Sequence, residues 1–325
     1  MLMRFIKVFL LLGCLGLFLL PAAAETAQRF HDPLYDLCLK GKRGIAVGYY
    51  GTILLSEDGG TKWETVSSGT KELLVSLSFP DAGHGWVVGS NGTILATSDG
   101  GRTWKPQVSG TSNYLFGVCF VNPQKGWIVG EAGTILHTQD GGAHWQAQQS
   151  GETEALLEAV KFLDEKRGFI VGEFGSILVT SDGGAIWKCI TKREADILDI
   201  GSLGKTRPTL YSLDFQDDKT GVAVGVGGCI LRTQDGGETW QDVPSPTVNH
   251  LYRVKVLDGE IYATGLRGTL LKSEDKGQSW ELTHLPRKIS LNWYYGIAGN
   301  SQNLLLAGET GEVVTTQLNR VCPAE

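Results

Sequence analysis

Apolar and polar positions alternate along this chain in short steps. Apolar, often β-branched runs close on glycine, as in "GIAVG", "GWVVG", "GWIVG", "GFIVG", "GVAVG", "IYATG" and "LLLAG". Another set of runs precedes them, among them "LLVSLSF", "LFGVCF", "ALLEAVKF" and "LYSLDF". After each glycine stop comes a G-x-x-G phrase with a third run behind it, then a tight turn and, in six of seven cases, a strand opened by tryptophan. Outside the first 24 residues no stretch carries a helical apolar period, so the pattern predicts short strands throughout.

The unit repeats. The inner glycine of the phrase falls at Gly51, Gly92, Gly133, Gly175, Gly228, Gly268 and Gly311. A spacing of roughly 40 to 43 residues is that of a four-stranded propeller blade, and the one longer gap must hold an insertion, at 188–209. The expected fold is therefore all-β, a single seven-bladed β-propeller of four-stranded blades over residues 25–325, whose ring closure protects the sheet edges. The seventh unit lacks the tryptophan-opened strand at its C-terminal end. Residues 25–33 are expected to supply that strand, the alternative being 319–325.

Between the third and fourth runs lies a turn such as "TSDGGRTW". Its aspartate can accept backbone N–H groups and its glycines can take positive φ. Asp58, Asp99, Asp140, Asp182, Asp235 and Asp275 hold this place, followed by Trp63, Trp104, Trp145, Trp187, Trp240 and Trp280. Each tryptophan is expected to bury apolar surface between sheets while its N–H finds a partner, which makes the pair a structural staple.

The pattern [ST]-x-D-x-G-x-x-W resembles the Asp-box, or BNR repeat, of sialidases and other propellers. The longer string "LFGVCFVNPQKGWIVGEAGTILHTQDGGAHW" at 115–145 resembles the photosystem II assembly and stability factor family, and the resemblance runs from about residue 34 to 318. It implies a lumenal or periplasmic chaperone-like protein that binds a membrane-protein precursor, with an arginine-rich patch in the cyanobacterial members. Here Glu131, Glu173, Glu194 and Glu309 dilute the positive charge.

The N-terminus reads as an export signal over residues 1–24, with Arg4 and Lys7, an apolar core at 8–20 and Ala22-Ala23-Ala24 before Glu25. A lipobox at "LLGC" or an uncleaved anchor are the alternatives. The expected place is the periplasm or a compartment like the thylakoid lumen, possible membrane association included. Losing two basic residues moves the net charge from −6 to −8, which argues against nucleic acid. Cys38, Cys119, Cys189, Cys229 and Cys322 have no repeat position common to all five and do not read as a disulfide framework, though Cys38 and Cys322 could pair where the ring closes. No metal-ligand spacing or cofactor motif is present, and a monomer is expected.

In a propeller the turns after the second and fourth strands share one face, opposite the Asp-boxes. That face is expected to carry the insertion, the turn residues Tyr49, Tyr50, Asn91 and Phe174, and the aromatic rim of Tyr114, Phe116, Tyr211, Tyr252, Trp293 and Tyr294. Basic residues gather towards the later units: Arg193, Arg207, Arg253, Arg267, Arg287 and Lys288. Aromatic rims supply contact area with polar tips. The reading is a non-catalytic scaffold for a membrane-protein client. The alternatives are an Asp-box glycoside hydrolase, which needs a converging pair of carboxylates, and a glycan-binding module.

Overall fold

In the computed structural model, residues 32–149, 155–191, 207–285, 292–300 and 303–317 are described. They form seven antiparallel sheets with the strands in consecutive order. Six sheets have four strands, and the seventh has three described strands, Tyr294–Gly299, Asn303–Gly308 and Val313–Gln317. The expected propeller is thus the observed one.

Burial along one blade explains the sequence pattern. In the second blade the strand Gly85–Gly89 is buried at every position, while the outermost strand Lys105–Gln107 is mostly exposed. The former lies between two partner strands and between two neighbouring sheets, so neither of its faces meets water, and it reads as an unbroken apolar run. Seven hydrophobic clusters hold the blades together, one for each pair of neighbours. The closing cluster joins Leu34, Leu37 and Ala46 of the first blade to Ala298, Leu305 and Ala307 of the seventh. The innermost strands Leu34–Lys40 and Tyr294–Gly299 lie side by side.

Innermost strands expose an unpaired edge to the channel, and this chain satisfies part of that edge with side chains from the preceding blade. Asp36 Oδ2 accepts from the Leu77 N–H at 3.0 Å, Ser78 Oγ from Phe120 at 2.9 Å, Ser212 Oγ from Val254 at 3.2 Å and Asp214 Oδ2 from Val256 at 3.0 Å. Each bond ties one blade to the next and removes an orphan donor.

The Asp-boxes are built alike. In the third blade the Thr138 hydroxyl donates to Asp140 at 2.8 Å and accepts from the Gly142 N–H at 2.9 Å, while Asp140 Oδ1 accepts from the His144 N–H at 3.0 Å. The same threonine or serine to aspartate bond recurs at Asp58, Asp99, Asp182, Asp235 and Asp275. Trp63, Trp104 and Trp280 donate to a glycine carbonyl of their own turn, whereas Trp145 and Trp187 donate to Gln107 and Gln148 of the preceding blade. Trp240 Nε1 is buried with no partner among the described residues. Edge-on contacts with Phe79, Phe120, Phe162 and Phe215 fix Trp104, Trp145, Trp187 and Trp240.

Residues 32 and 33 lead directly into the first inner strand, with the Pro33 carbonyl accepting from the Tyr49 N–H at 2.8 Å. The expected strand donor otherwise falls outside the described residues, as does its alternative at 319–325. So do residues 1–24, residues 192–206 of the insertion, and Cys322. Cys38, Cys119, Cys189 and Cys229 are free thiols. No described helix is long and apolar enough to cross a membrane.

Candidate functional site

The face opposite the Asp-boxes is shaped by the turns between second and third strands. In the third blade, Gly130 closes the second strand, and a Cβ there would lie 2.1 Å from the Tyr114 carbonyl. That carbonyl accepts from the Glu131 N–H at 2.8 Å, and the equivalent bond ties the turn to the start of the inner strand in all seven blades. Two residues on, the backbone turns left-handed in the first six blades, at glycine in the fifth but at Tyr50, Asn91, Ala132, Phe174 and Arg267 in the others. Non-glycine side chains pay a steric cost in this region and cluster at functional loops. The turns lift Tyr49 (49 % exposed), Tyr50 (53 %) and Phe174 (60 %) off the surface.

The register of the inner strands builds the rim of the channel. A shift in pairing near the start of these strands, as between Leu34 and Asp36 or Leu251 and Arg253, follows a buried residue and turns the next side chain towards the channel. Tyr35, Val75, Phe116, Glu158, Tyr211, Tyr252 and Tyr295 occupy this equivalent position, and with Tyr114 and Arg253 they line a cavity of about 250 Å³ at the mouth. The rings form a continuous wall. Tyr252 stacks on Tyr295 at 4.1 Å, Tyr295 lies 5.4 Å from Tyr35 and 5.2 Å from Trp293, and Tyr211 lies 5.7 Å from Tyr252. Burial pushes the Tyr114 hydroxyl up to about 12 and raises Tyr35, Tyr211, Tyr252 and Tyr295, so the rim keeps neutral, donor-capable hydroxyls.

Of the residues expected at this rim, Tyr114, Phe116, Tyr211, Tyr252 and Trp293 are at the mouth. Tyr294 is not. It is fully buried in the cluster between the sixth and seventh blades, where other blades place leucine, and its neighbour Tyr295 faces the channel instead. Sequence reasoning also missed Tyr35 and Glu158. Placing the seven inner strands under one another on their leading leucines would have found them, and in the seventh blade that leucine is a tyrosine.

The three basic residues that fall among the described ones, Arg207, Arg253 and Arg267, are put to different uses. Arg253 is turned inward, with its guanidinium 3.1 Å from Asp36 and donating to the Tyr295 carbonyl at 3.1 Å and the Tyr35 carbonyl at 3.4 Å. Arg267 is exposed on its turn, and Arg207 packs its stem against Gly175 of the fourth blade. Arg193, Arg287 and Lys288 lie outside the described residues. Glu131 and Glu173 accept the N–H groups of Tyr114 at 3.2 Å and Leu156 at 3.1 Å, so these carboxylates brace their own blades. Among the described residues no group of three or more potential ligands gathers to hold a metal.

The family model for the photosynthesis system II assembly factor YCF48 matches residues 56–150, 147–243 and 202–318, which together span most of the chain. The chain belongs to that family. This YCF48-family propeller is similar to a solved structure described as "YCF48 bound to D1 peptide", at 20 % identity and TM-score 0.70, covering 90 % of this chain and 93 % of that one. It is similar to YCF48 from Cyanidioschyzon merolae at 19 % identity and TM-score 0.68, covering 89 % and 97 %. The WD40 propeller domain of Doa1 shares the fold at 15 % identity and TM-score 0.65, covering 87 % and 92 %. No curated protein matches the sequence.

Proposed function

We propose that this YCF48-family chain is an exported, non-catalytic scaffold that holds a peptide segment of a membrane-protein client during assembly of a photosystem II-like complex. The observation that carries the reading is the wall of aromatic rings at the channel mouth, where Tyr295 meets Tyr35, Tyr252 and Trp293, and Tyr35 meets Trp293. Such a wall offers rigid apolar area with polar tips, which suits an extended backbone. A structure of YCF48 with a D1 peptide, similar to this chain in fold, supports a peptide as the guest. The structural use of Glu131 and Glu173 in bracing backbone supports a scaffold over a hydrolase.

The test is a titration of a fluorescent D1 peptide with residues 25–325 and with the Tyr252→Ala, Tyr295→Ala double variant. The expected outcome is saturable binding that weakens at least about tenfold on losing two rim aromatics, in line with hot-spot losses above about 1 kcal/mol each. Absence of peptide binding together with hydrolysis or retention of a β-glucan or sialoside would overturn the reading. Export is tested separately by fractionating the native host, where recovery of the mature chain with the cytosol would contradict it.

A further inference from the structure

Glu158 breaks the pattern of the rim. At the position where the other blades place Tyr35, Val75, Phe116, Tyr211, Tyr252 and Tyr295, the fourth blade places a carboxylate. Among the described residues it is the sole acidic one lining the mouth cavity. The cavity's arginine does not neutralise it, because Arg253 is engaged by Asp36 at 3.1 Å and by two carbonyls. Among the described residues the Glu158 side chain has no hydrogen bond or ion pair, and Glu173 adds negative charge nearby. Its field reaches the hydroxyls of Tyr211 and Tyr295. Ring faces are themselves negative, so an unpaired carboxylate among them is a destabilising arrangement until a cation enters.

Taken with the peptide-binding reading above, on which it rests, this geometry points to a ligand chemistry. We propose that the mouth cavity is a cation-accepting aromatic cage, which takes the lysine or arginine side chain of a bound peptide with its charge against Glu158 and its methylenes against Tyr211, Tyr252 and Tyr295. A volume of about 250 Å³ is below that of drug-sized pockets and suits one long side chain. The aliphatic stem packs on rings while the charged head meets the carboxylate, as amphipathic cations do at other apolar surfaces.

The experiment is a ligand-observed NMR titration of the full chain with N-acetyl-lysine methylamide, its arginine counterpart and its neutral norleucine counterpart. Lysine and arginine derivatives should bind at least about tenfold more tightly than norleucine, the equivalent of about 1.4 kcal/mol. Glu158→Gln should erase that preference in a protein that still unfolds cooperatively and no less stably, and Tyr252→Ala should weaken all three ligands. Equal binding of lysine and norleucine, or an unchanged preference in Glu158→Gln, overturns the cage. The peptide reading survives that failure if the D1 peptide still binds through the rim. Loss of the D1 peptide as well, with a neutral oligosaccharide bound at the same rings, overturns both.

Discussion

At the scale of single residues, stability depends on where charge and hydroxyl groups are held. Thr138 is buried, and its hydroxyl serves both Asp140 and the Gly142 N–H. Thr138→Val keeps the shape and orphans a buried donor, so denaturant unfolding should show a loss of about 1–3 kcal/mol. All six Asp-box carboxylates sit below the usual carboxylate range. The His144 N–H and side chain bring Asp140 to about 2, and the Ser279 hydroxyl and N–H bring Asp275 to about 2. A carboxylate lowered by folding contributes stability that is present above its unfolded value near about 3.9 and fades as pH falls through the folded one. The melting temperature should therefore fall steeply between about pH 4 and 2, and Asp275→Asn should flatten that fall. Glu158 has the opposite sign. Burial, then repulsion from Glu173, pushes it up to about 7, so its contribution is fully present below its unfolded value of about 4.3 and is lost as pH rises from there through about 7. Glu158→Gln should raise the melting temperature at about pH 8.5 and leave it unchanged at about pH 4; an unchanged melting temperature at both would place the carboxylate in ordinary solvent.

Turns and strands carry the next level. Gly130 faces the Tyr114 carbonyl so closely that Gly130→Ala must displace the start of the inner strand. Ala132, two residues later, has φ of 52°. Ala132→Gly relieves a left-handed penalty of about 1–2 kcal/mol and restores roughly 0.5–1 kcal/mol of unfolded-state entropy, so chemical denaturation should show a small gain or no change, while Gly130→Ala is strongly destabilising. The strands themselves were legible in the sequence because burial differs so sharply across a blade that each strand has its own composition. The Asp-box turns were legible because their chemistry repeats. The rim was only partly legible: the buried residue and the channel residue are adjacent, and in "WYYGIAG" both are tyrosine, so only the register tells Tyr294 from Tyr295. Arg253 reads as a surface cation from sequence, since its partner Asp36 is more than two hundred residues away and meets it only when the ring closes.

The propeller is a ring whose closure brings the first, sixth and seventh blades together. Arg253 of the sixth blade reaches the Tyr295 carbonyl of the seventh and Asp36 of the first. Arg253→Ala leaves Asp36 buried without its cation, and loss of one partner of such a pair typically costs about 3–5 kcal/mol. Asp36→Asn combined with Arg253→Met should recover much of that loss in an equilibrium unfolding experiment; a fully additive double variant would show that the pair does not couple. The same ring separates two faces of different use, Asp-boxes on one and the aromatic rim on the other. The most direct measurement is site-specific photocrosslinking in native membranes, with a benzophenone amino acid at Phe174 on the rim face or at Ile186 on the Asp-box face, both well exposed. Crosslinks to one membrane protein from Phe174 and none from Ile186 are the predicted result; the same crosslink from Ile186 alone, or none from Phe174, would contradict a client-binding rim.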